Sequence, residues 1–398
     1  MPVDIREELD KLLVHSEQIW LLGAGASFDA NLPLVIDLTK RVRSECGKEE
    51  IVRTGKAALV VESVISALAS SLSADPTIES ILDHLADHYS MARRAPKGVV
   101  LIGNGASSVE VSADELTRTR DFLVGAIRDA LRWGYCYNAD PALEKIGIPG
   151  NSIVDITSHD AFMEVLFARL QAGRAPRLKP VEFFTVNYDT LIEDALALRG
   201  IGCSDGFAGG ALGFWDPTTF GKSANGEPSR AILTKLHGSI DWAYIPEDER
   251  IVRRRIGDLY PTKGTDVLIY PQASKYDFAR REPFDTLFQR FRNALSRNTA
   301  QVLIVCGYAF GDDHVDMVIE QAMSRRSGGE LTIVAFAKSR SGKLKKWCEQ
   351  GFGERVYVIA EDGVWRGKDG PHLPPAGGAT HDWWTFKGMT KFLADVRA

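Results

Sequence analysis

Three short motifs stand where apolar runs of the chain end, and they lie far apart in sequence. They are Gly23–Ser27 (GAGAS), Thr185–Asp189 (TVNYD) and Leu236–Ser239 (LHGS). Runs that are apolar at nearly every position indicate strands buried on both faces, as in a parallel sheet. In an open α/β sheet the carboxyl ends of the strands line one crevice, where ligands bind. We therefore expect the three motifs to meet at one site.

Apolar runs and helical patterns alternate along much of the chain. The expected strands are Ile19–Leu22, Val181–Val186, Ala231–Leu236, Val267–Tyr270, Val302–Cys306, Leu331–Phe336 and Val356–Ala360. Helical spacing is kept from Pro283 to Leu295, from Val315 to Met323 and from Phe386 to Val396. This alternation predicts an α/β fold with a Rossmann-like, doubly wound and mostly parallel sheet.

The long stretch between the first two motifs is mostly helical in pattern. We expect Asp75-Pro76 to begin one helix, Ser112 and Glu115 to cap a second as a capping box, and Ser158 to cap a third. These patterns predict a large helical insertion over residues 41–178, with a loop at Ala95–Ser112.

Residues 1–40 and 179–398 are then expected to form the nucleotide-binding domain. Two further segments, Gly206–Ser229 and Ala243–Asp266, lack clear periodicity and are expected to be long loops over the crevice.

Composition excludes several classes of protein. Of 398 residues, 44% are apolar and 25% charged, as in a globular domain, and no apolar run approaches the length of a membrane span. The net charge is -5, so we do not expect direct binding to nucleic acid or to an anionic membrane. Four basic clusters are interpreted as solvated faces or protein contacts: Arg253–Arg255, Arg280-Arg281, Arg325-Arg326 and Lys343–Lys346.

The cysteines and the N-terminus indicate a reducing location. The five cysteines include no C-x-x-C pair, so we expect neither zinc nor a disulfide framework. The first residues are acidic and amphipathic rather than basic and then apolar, which argues against a secretory signal. We expect a cytoplasmic protein.

The motif Gly23–Ser27 suits close approach of a phosphate to the backbone. Its glycines carry no side chain, and amides at the start of a helix attract anions. Residue 28 is Phe, so the motif is not the dehydrogenase pattern G-x-G-x-x-G. The sequence therefore does not favour an enzyme that transfers a hydride. A simple tight turn is the alternative interpretation.

The other two motifs carry groups that could do chemistry. Asn187 and Asp189 could bind a ligand, or they could mark a strand end and cap the next helix. His237 lies at an expected strand end before Gly238, whereas most histidines are structural or exposed. A further glycine-rich turn, Gly307–His314, follows another strand.

In order and content these motifs resemble the sirtuin superfamily, which binds NAD and breaks its nicotinamide–ribose bond. The resemblance implies that Asn187 contacts the nicotinamide ribose, that His237, followed by Gly as in sirtuins, is catalytic, and that the Gly307 turn lies against the adenosine half. Asn187 and His237 are the expected catalytic residues. The expected NAD-binding residues are Gly23, Ala24, Gly25, Ser27, Pro33, Asp189, Gly238, Gly307, Tyr308 and Asp313.

The resemblance covers residues 15–35 and 180–340, and it is closest to a divergent bacterial branch. The zinc-ribbon cysteines of protein-deacylating sirtuins are missing. The chain looks like sirtuin-like anti-phage defence enzymes that hydrolyse NAD to nicotinamide and ADP-ribose. Such enzymes commonly form homo-oligomers or act with a partner ATPase encoded nearby. Two alternatives stay open: a non-catalytic nucleotide-sensing or scaffold subunit, and an NAD-dependent protein deacylase.

Overall fold

The structure is a computed structural model. It describes residues 4–53, 55, 57–72, 75–105, 108–170, 179–222, 226–245, 250–255, 265–268, 282–325 and 330–396. Its α-helices are Ile5–Leu13, Gly25–Phe28, Val35–Cys46, Val61–Ala69, Ile78–Arg94, Ala113–Trp133, Thr157–Glu164, Leu191–Leu198, Phe284–Ala294, Asp313–Met323, Gly342–Glu349 and Phe386–Ala394.

The strands in chain order are β1 Gln18–Leu22, β2 Glu50–Ile51, β3 Leu59–Val60, β4 Val99–Ile102, β5 Val109–Ser112, β6 Tyr135–Cys136, β7 Lys145–Ile146, β8 Val181–Thr185, β9 Cys203–Ser204, β10 Phe207–Gly209, β11 Leu212–Trp215, β12 Ala231–Lys235, β13 Gly238–Ile245, β14 Arg250–Arg254, β15 Thr265–Leu268, β16 Gln301–Cys306, β17 Leu331–Phe336, β18 Val356–Ala360, β19 Gly363–Arg366 and β20 Asp369–His372.

A nine-stranded sheet forms the centre of the molecule. Its spatial order is β20-β19-β18-β17-β16-β1-β8-β12-β9. The seven strands from β18 to β9 are parallel, and β19 and β20 extend one edge as antiparallel strands. The strand β1 lies in the interior, so two partners distant in sequence, β8 and β16, must pair with it.

Each face of this sheet carries its own apolar core. Along β1, Trp20 and Leu22 belong to one core, and Ile19 and Leu21 to the other, because successive side chains point to opposite faces. Helices Ile5–Leu13, Thr157–Glu164, Leu191–Leu198 and Phe386–Ala394 cover the first face. Helices Phe284–Ala294, Asp313–Met323 and Gly342–Glu349 cover the second. The expected doubly wound α/β fold is confirmed.

A separate apolar core holds most of the expected insertion together. It joins helices Val35–Cys46, Val61–Ala69, Ile78–Arg94 and Ala113–Trp133. The region is not helical throughout, because it also contains the hairpins β2–β3, β4–β5 and β6–β7. The hairpin β4–β5 occupies Ala95–Ser112, where a loop was expected; that expectation was wrong.

The end of the expected insertion packs with the main sheet instead. Phe162, fully buried on helix Thr157–Glu164, meets the Trp20 ring edge-to-face at 5.0 Å and the Phe386 ring at 5.1 Å. The division at residues 40 and 178 stays a prediction, but by packing residues 157–170 belong to the core of the sheet.

Helix starts were predicted with mixed success. The capping box of Ser112 and Glu115 is present. The helix expected to begin at Asp75-Pro76 is capped instead by Thr77, whose side chain accepts from the amide of Ser80. Ser158 lies inside its helix rather than at the cap. In the first case Thr77 competes with Asp75 for the cap, and in the second the N-cap is Ile156, which makes no side-chain cap hydrogen bond. Local pattern alone does not fix such boundaries.

The segments expected to be loops over the crevice build a second sheet. This five-stranded antiparallel sheet has the order β10-β11-β14-β13-β15. Its strands were missed because several are short and broken by glycine, so their apolar runs are brief. The run expected at Val267–Tyr270 is replaced by β15 at Thr265–Leu268; residues 269 and 270 lie outside the described residues.

Among the described helices, none is both long and apolar enough to cross a bilayer.

Candidate functional site

The motif-bearing strands are direct neighbours in the main sheet. The spatial order β16-β1-β8-β12 places Gly307, Gly23, Thr185 and Leu236 at one carboxyl edge. The chain crosses from the main sheet to the second sheet between β12 and β13, and His237 lies at this crossing. Gly238 follows with a φ of 87°, a conformation that favours glycine and turns the chain.

The two glycine turns pack directly against each other. The amide of Gly23 donates to the Cys306 carbonyl at 3.0 Å, and that of Gly25 donates to the Gly307 carbonyl at 2.9 Å. A Cβ at residue 23 would lie 2.6 Å from the Gly307 oxygen, and one at residue 307 only 2.1 Å from the Ala26 nitrogen. These glycines are therefore required for backbone contact between the turns, whatever they also do for a ligand.

The first turn leads into a short helix. Gly25–Phe28 spans a single turn, and the longer helix starts at Val35. Ala24 is exposed, Ser27 is buried, and Pro33 is buried in the connection to the longer helix. A ligand at this edge thus meets one exposed turn rather than the end of a long helix.

A hydrogen-bond network joins the first two motifs. The Asn187 amide nitrogen Nδ2 donates to the Gly23 carbonyl and to Ser27 Oγ, both at 2.9 Å. Ser27 Oγ donates in turn to Asp189 Oδ2 at 2.7 Å. Asp189 Oδ1 accepts at 3.1 Å from the amide of Leu191, the first residue of the following helix, although the N-cap of that helix is Thr190 rather than Asp189. The amide oxygen of Asn187 is buried and has no hydrogen-bond partner within the described part of the chain.

A buried lysine holds the Asn187 segment from behind. Lys235, only 3% exposed, contacts the carbonyl of Asp189 and lies 3.0 Å from Glu193 Oε1. Burial raises the pKa of the Glu193 carboxyl to about 7, and Lys235 opposes that shift. Sequence analysis missed Lys235, although a charged residue that ends the otherwise uncharged strand Ala231–Lys235 was a usable signal.

The third and fourth motifs meet through a histidine and an aspartate. His237 Nε2 lies 2.8 Å from Asp312 Oδ2, and both side chains are at most 5% exposed. The other oxygen of Asp312 accepts from the amides of His314 and Val315 and caps helix Asp313–Met323. This one carboxylate therefore anchors the helix and faces the histidine.

The structure separates Asp313, a predicted NAD-binding residue, from this pair. The side chain of Asp313 is 95% exposed and lies 3.1 Å from Lys343 Nζ. The neighbouring Asp312 is the acidic residue that faces His237. The sequence alone could not distinguish Asp312 from Asp313. Which of the two side chains points inward depends on the residue at which the helix begins.

Tyr308 supports the same turn from inside. Its hydroxyl donates to Asp316 Oδ1 at 2.8 Å and accepts from the Asp312 amide at 3.3 Å. Burial and the nearby Asp316 carboxylate raise the pKa of the Tyr308 hydroxyl, so it stays protonated. Tyr308 is buried, which suits a structural role in the turn.

Another histidine, His159, lies in the core rather than at the carboxyl edge of the sheet. It is 1% exposed and its ring stacks on Phe386 at 4.5 Å. Burial lowers the pKa of His159 to about 4, against the carboxylates of Asp189, Asp29 and Asp155, so its imidazole is neutral at pH 7.

The expectation of no metal overlooked one histidine pair. His84 and His88 stand one turn apart on helix Ile78–Arg94, with their Nε2 atoms 3.3 Å apart. Among the described residues, no group of three or more His, Cys, Asp or Glu side chains is arranged to hold a metal ion. The absence of zinc stays a prediction.

A SIR2-like domain model matches residues 181–356, which is less than half of the chain. This match supports a sirtuin-like fold for the segment that carries Asn187, His237 and Gly307. No curated protein matches the chain by sequence.

Solved structures of Sir2 homologues are similar at low identity. One is a mutant Sir2 homologue in complex with ADP-ribose, with 14% identity, a TM-score of 0.35, and coverage of 85% of this chain and 86% of that chain. Another is a Sir2 homologue in complex with NAD, with 14% identity, a TM-score of 0.34, and 84% of each chain covered. These scores are too low to establish a shared fold on their own.

The contact between the glycine turns predicts a strong effect of one methyl group. Gly307→Ala places a side chain at a φ of 68° and against the Ala26 nitrogen, so we expect a loss of well over 1 kcal/mol in the free energy of unfolding. Gly311→Ala is the matched control, because a Cβ there meets open space. Equal thermal denaturation curves for the two variants would contradict the close packing of the turns.

The low pKa of His159 predicts an acid-sensitive core. The unfolded chain binds a proton at His159 below about pH 6.5, whereas the folded chain does so only near pH 4. Stability is therefore retained above pH 6.5 and lost as the pH falls through this window, by about 2 kcal/mol at pH 5. Chemical denaturation at pH 7 and pH 5 measures this loss, and His159→Phe is expected to reduce it. If His159→Phe loses as much stability between pH 7 and pH 5 as the natural chain does, protonation of His159 is not the cause of the acid sensitivity.

Proposed function

We propose that the chain is an NAD hydrolase that releases nicotinamide and ADP-ribose. The observation that carries this proposal is the network of Asn187, Ser27 and Asp189 at the shared carboxyl edge, which leaves a buried amide oxygen available. The domain match over residues 181–356 supports the same conclusion, since that segment contains three of the four motifs that resemble sirtuins.

The reaction requires little acid catalysis. In NAD the nicotinamide ring carries the positive charge, so the bond from its nitrogen to ribose C1′ breaks with both electrons going to the ring. Nicotinamide leaves neutral, and C1′ develops oxocarbenium character. Water then forms the new bond to C1′ and loses one proton. The protein needs to hold the ribose, stabilise the electron-poor carbon and place the water.

Asn187 suits the positioning of ribose or water. Its Nδ2 is already fixed by Gly23 and Ser27, which sets the orientation of the amide. The unpartnered Oδ1 can then accept a hydrogen bond from a ribose hydroxyl or from water. A neutral amide does this without adding a charge beside the reacting carbon. Satisfying this buried oxygen also favours binding, because an unmade buried hydrogen bond costs free energy.

His237 suits the removal of the proton. A neutral imidazole can accept a proton from water or from a ribose hydroxyl. Asp312, at 2.8 Å, orients the ring and stabilises the imidazolium that results. In this proposal Asp312 is a positioning residue, and Gly23–Ser27 with the Gly307 turn hold the pyrophosphate and adenosine parts of NAD.

Variants of the two proposed catalytic residues test the function. We expect Asn187→Ala and His237→Ala each to reduce the turnover of NAD by roughly 10²-fold or more, since each removes a contact to the transition state. His372→Ala is the control, because it removes a histidine from β20, the edge strand of the main sheet farthest from β8 and β12. The measurement is the release of nicotinamide and ADP-ribose by the purified chain, with and without the product of the neighbouring gene.

Each result of this assay decides between the alternatives. Near-normal turnover in either alanine variant refutes the assigned roles. NAD binding without cleavage under every condition favours the sensing or scaffold subunit. Cleavage that depends on an added acyl-lysine peptide favours the deacylase, and about one zinc per chain in elemental analysis would reopen that alternative.

We further propose that the activity serves bacterial anti-phage defence in the cytoplasm and is controlled by assembly. The support is the resemblance to sirtuin-like defence enzymes, which form homo-oligomers or act with an ATPase encoded nearby. An enzyme that consumes NAD must be inactive until it is needed, and assembly is one means of such control.

The expected assembly surface needs one revision. The sequence predicts that the helical insertion makes the oligomer contacts, through apolar side chains such as Leu59, Ile65 and Leu68. All three are instead buried in the core of the insertion. Within residues 41–178, the apolar side chains that stay exposed include Leu143, which is 62% exposed, and Ile148, which is 53% exposed.

Mass measurement in solution tests the assembly. We expect an oligomer at micromolar concentration, because exposed apolar patches commonly mark interfaces and symmetric oligomers are the common outcome. Replacing Leu143 and Ile148 together by Ser is expected to shift the population toward the monomer, and Leu198→Ser, at a 66% exposed site on the main domain, is the control. A strict monomer with and without NAD would defeat the proposal.

A further inference from the structure

A second polar cavity lies away from the crevice, beside the edge strand β9. Its volume is about 590 Å³, which suits a molecule of nucleotide size. Ser204 and Asp205 from the end of β9, Arg253 from β14, and Lys222 and Arg255 line it. We propose that this cavity binds the phosphate group of a small phosphorylated molecule.

The first support is a buried arginine that is only partly satisfied. Arg253 is 7% exposed, and its Nη1 donates to Asp205 Oδ2. Its guanidinium carbon lies 5.4 Å from the centre of the Phe207 ring. The Nε atom is buried and has no acceptor in the described part of the chain. A buried donor without an acceptor is costly, and a phosphate oxygen is a strong acceptor for the planar donors of arginine.

The second support is an excess of positive charge. Arg253, Arg255 and Lys222 line the cavity, against the single carboxylate of Asp205. The Asp205 carboxylate already has partners, because its Oδ2 accepts from Arg253 Nη1 and lies 3.3 Å from Arg255 Nη2. Its second oxygen accepts from the Phe207 amide at 3.2 Å. Lys222 is exposed, so its ammonium can reach a ligand without being buried first.

Arg255 also faces the rest of the molecule. It lines a neighbouring cavity of about 360 Å³ together with Asp189, Asp194 and Asp241. Asp194 and Asp241 offset part of the charge of Arg255, and Asp205 offsets that of Arg253. The uncompensated positive charge of the proposed site therefore rests mainly on Lys222. Arg255 thus borders both the proposed phosphate site and the segment that includes Asp189.

The cavity is distinct from the crevice at the glycine turns. The strand β9 is three places from β1 in the sheet, which corresponds to roughly 14 Å. It pairs only with the first residues of β12, Ala231 and Ile232, whereas the crevice lies beyond the last residues of that strand. The site also contains Arg253 and Arg255 of the basic cluster Arg253–Arg255 noted in the sequence.

The burial of Arg253 corrects the earlier interpretation of its cluster. A solvated face was expected, but Arg253 is buried while Arg254 alternates to the other face of β14. This alternation supplies a matched control: Arg254→Gln removes one positive charge from the same strand without touching the cavity lining.

Titration calorimetry of the full chain with inorganic pyrophosphate, in the absence of NAD, tests the proposal. We expect the natural chain to bind the probe, and Lys222→Gln and Arg253→Gln each to weaken binding about tenfold or more. Arg254→Gln is expected to stay within about twofold of the natural chain. Lys222 is an exposed residue, so its variant keeps the test valid even where Arg253→Gln fails to fold.

Three results would overturn the proposal. They are no binding of pyrophosphate by the natural chain, unchanged affinity in Lys222→Gln, and an equal loss in Arg254→Gln. Pyrophosphate bound only at the glycine turns would be indifferent to Lys222→Gln and therefore counts as the second result. The readout does not involve NAD cleavage, so failure of the proposed function leaves this test intact.

Discussion

The contact between the backbones of the two glycine turns is the constraint on which the site depends. Gly23 and Gly25 touch Gly307 so closely that none of the three can carry a Cβ. This contact fixes the Gly23 carbonyl, which orients Asn187, and it fixes the turn that delivers Asp312 to His237. Residues that are distant in sequence are thereby held in register at one edge of the sheet.

Polar groups behind the site are buried and mutually compensated. Lys235 and Glu193 form a buried pair, and the lysine also binds the backbone carbonyl of Asp189. Removing one member would strand the other charge, which is far more costly than losing a surface pair. The polar network therefore restricts the Asn187 segment to one arrangement, while the apolar cores on either side of the sheet supply most of the driving force for folding.

The main sheet could be predicted because its strands are apolar at almost every position, and the motifs at their ends could be predicted with them. The local sequence pattern did not predict which polar side chains point inward, because tertiary contacts determine this. Asp312 and Asp313 differ only in which side of a helix start they occupy, and Arg253 is buried only because Asp205 and Phe207 receive it. The second sheet was missed because its strands are short and glycine-broken, so their pairing compensates for weak local preference.

The order of the strands also governs when a site of this kind can exist. The strand β1 is synthesised well before its two partners, β8 and β16, and Val302 of β16 lies opposite Gln18. Contacts between residues so far apart in sequence form late in folding, because chain entropy is lost in closing the long loop before the strand pairing stabilises it. A nascent chain on the ribosome has Asn187 and His237 long before it has Gly307 or Asp312. An unfinished chain therefore lacks both the turn that packs against Gly23 and the carboxylate that faces His237, so the site is incomplete until this segment is added.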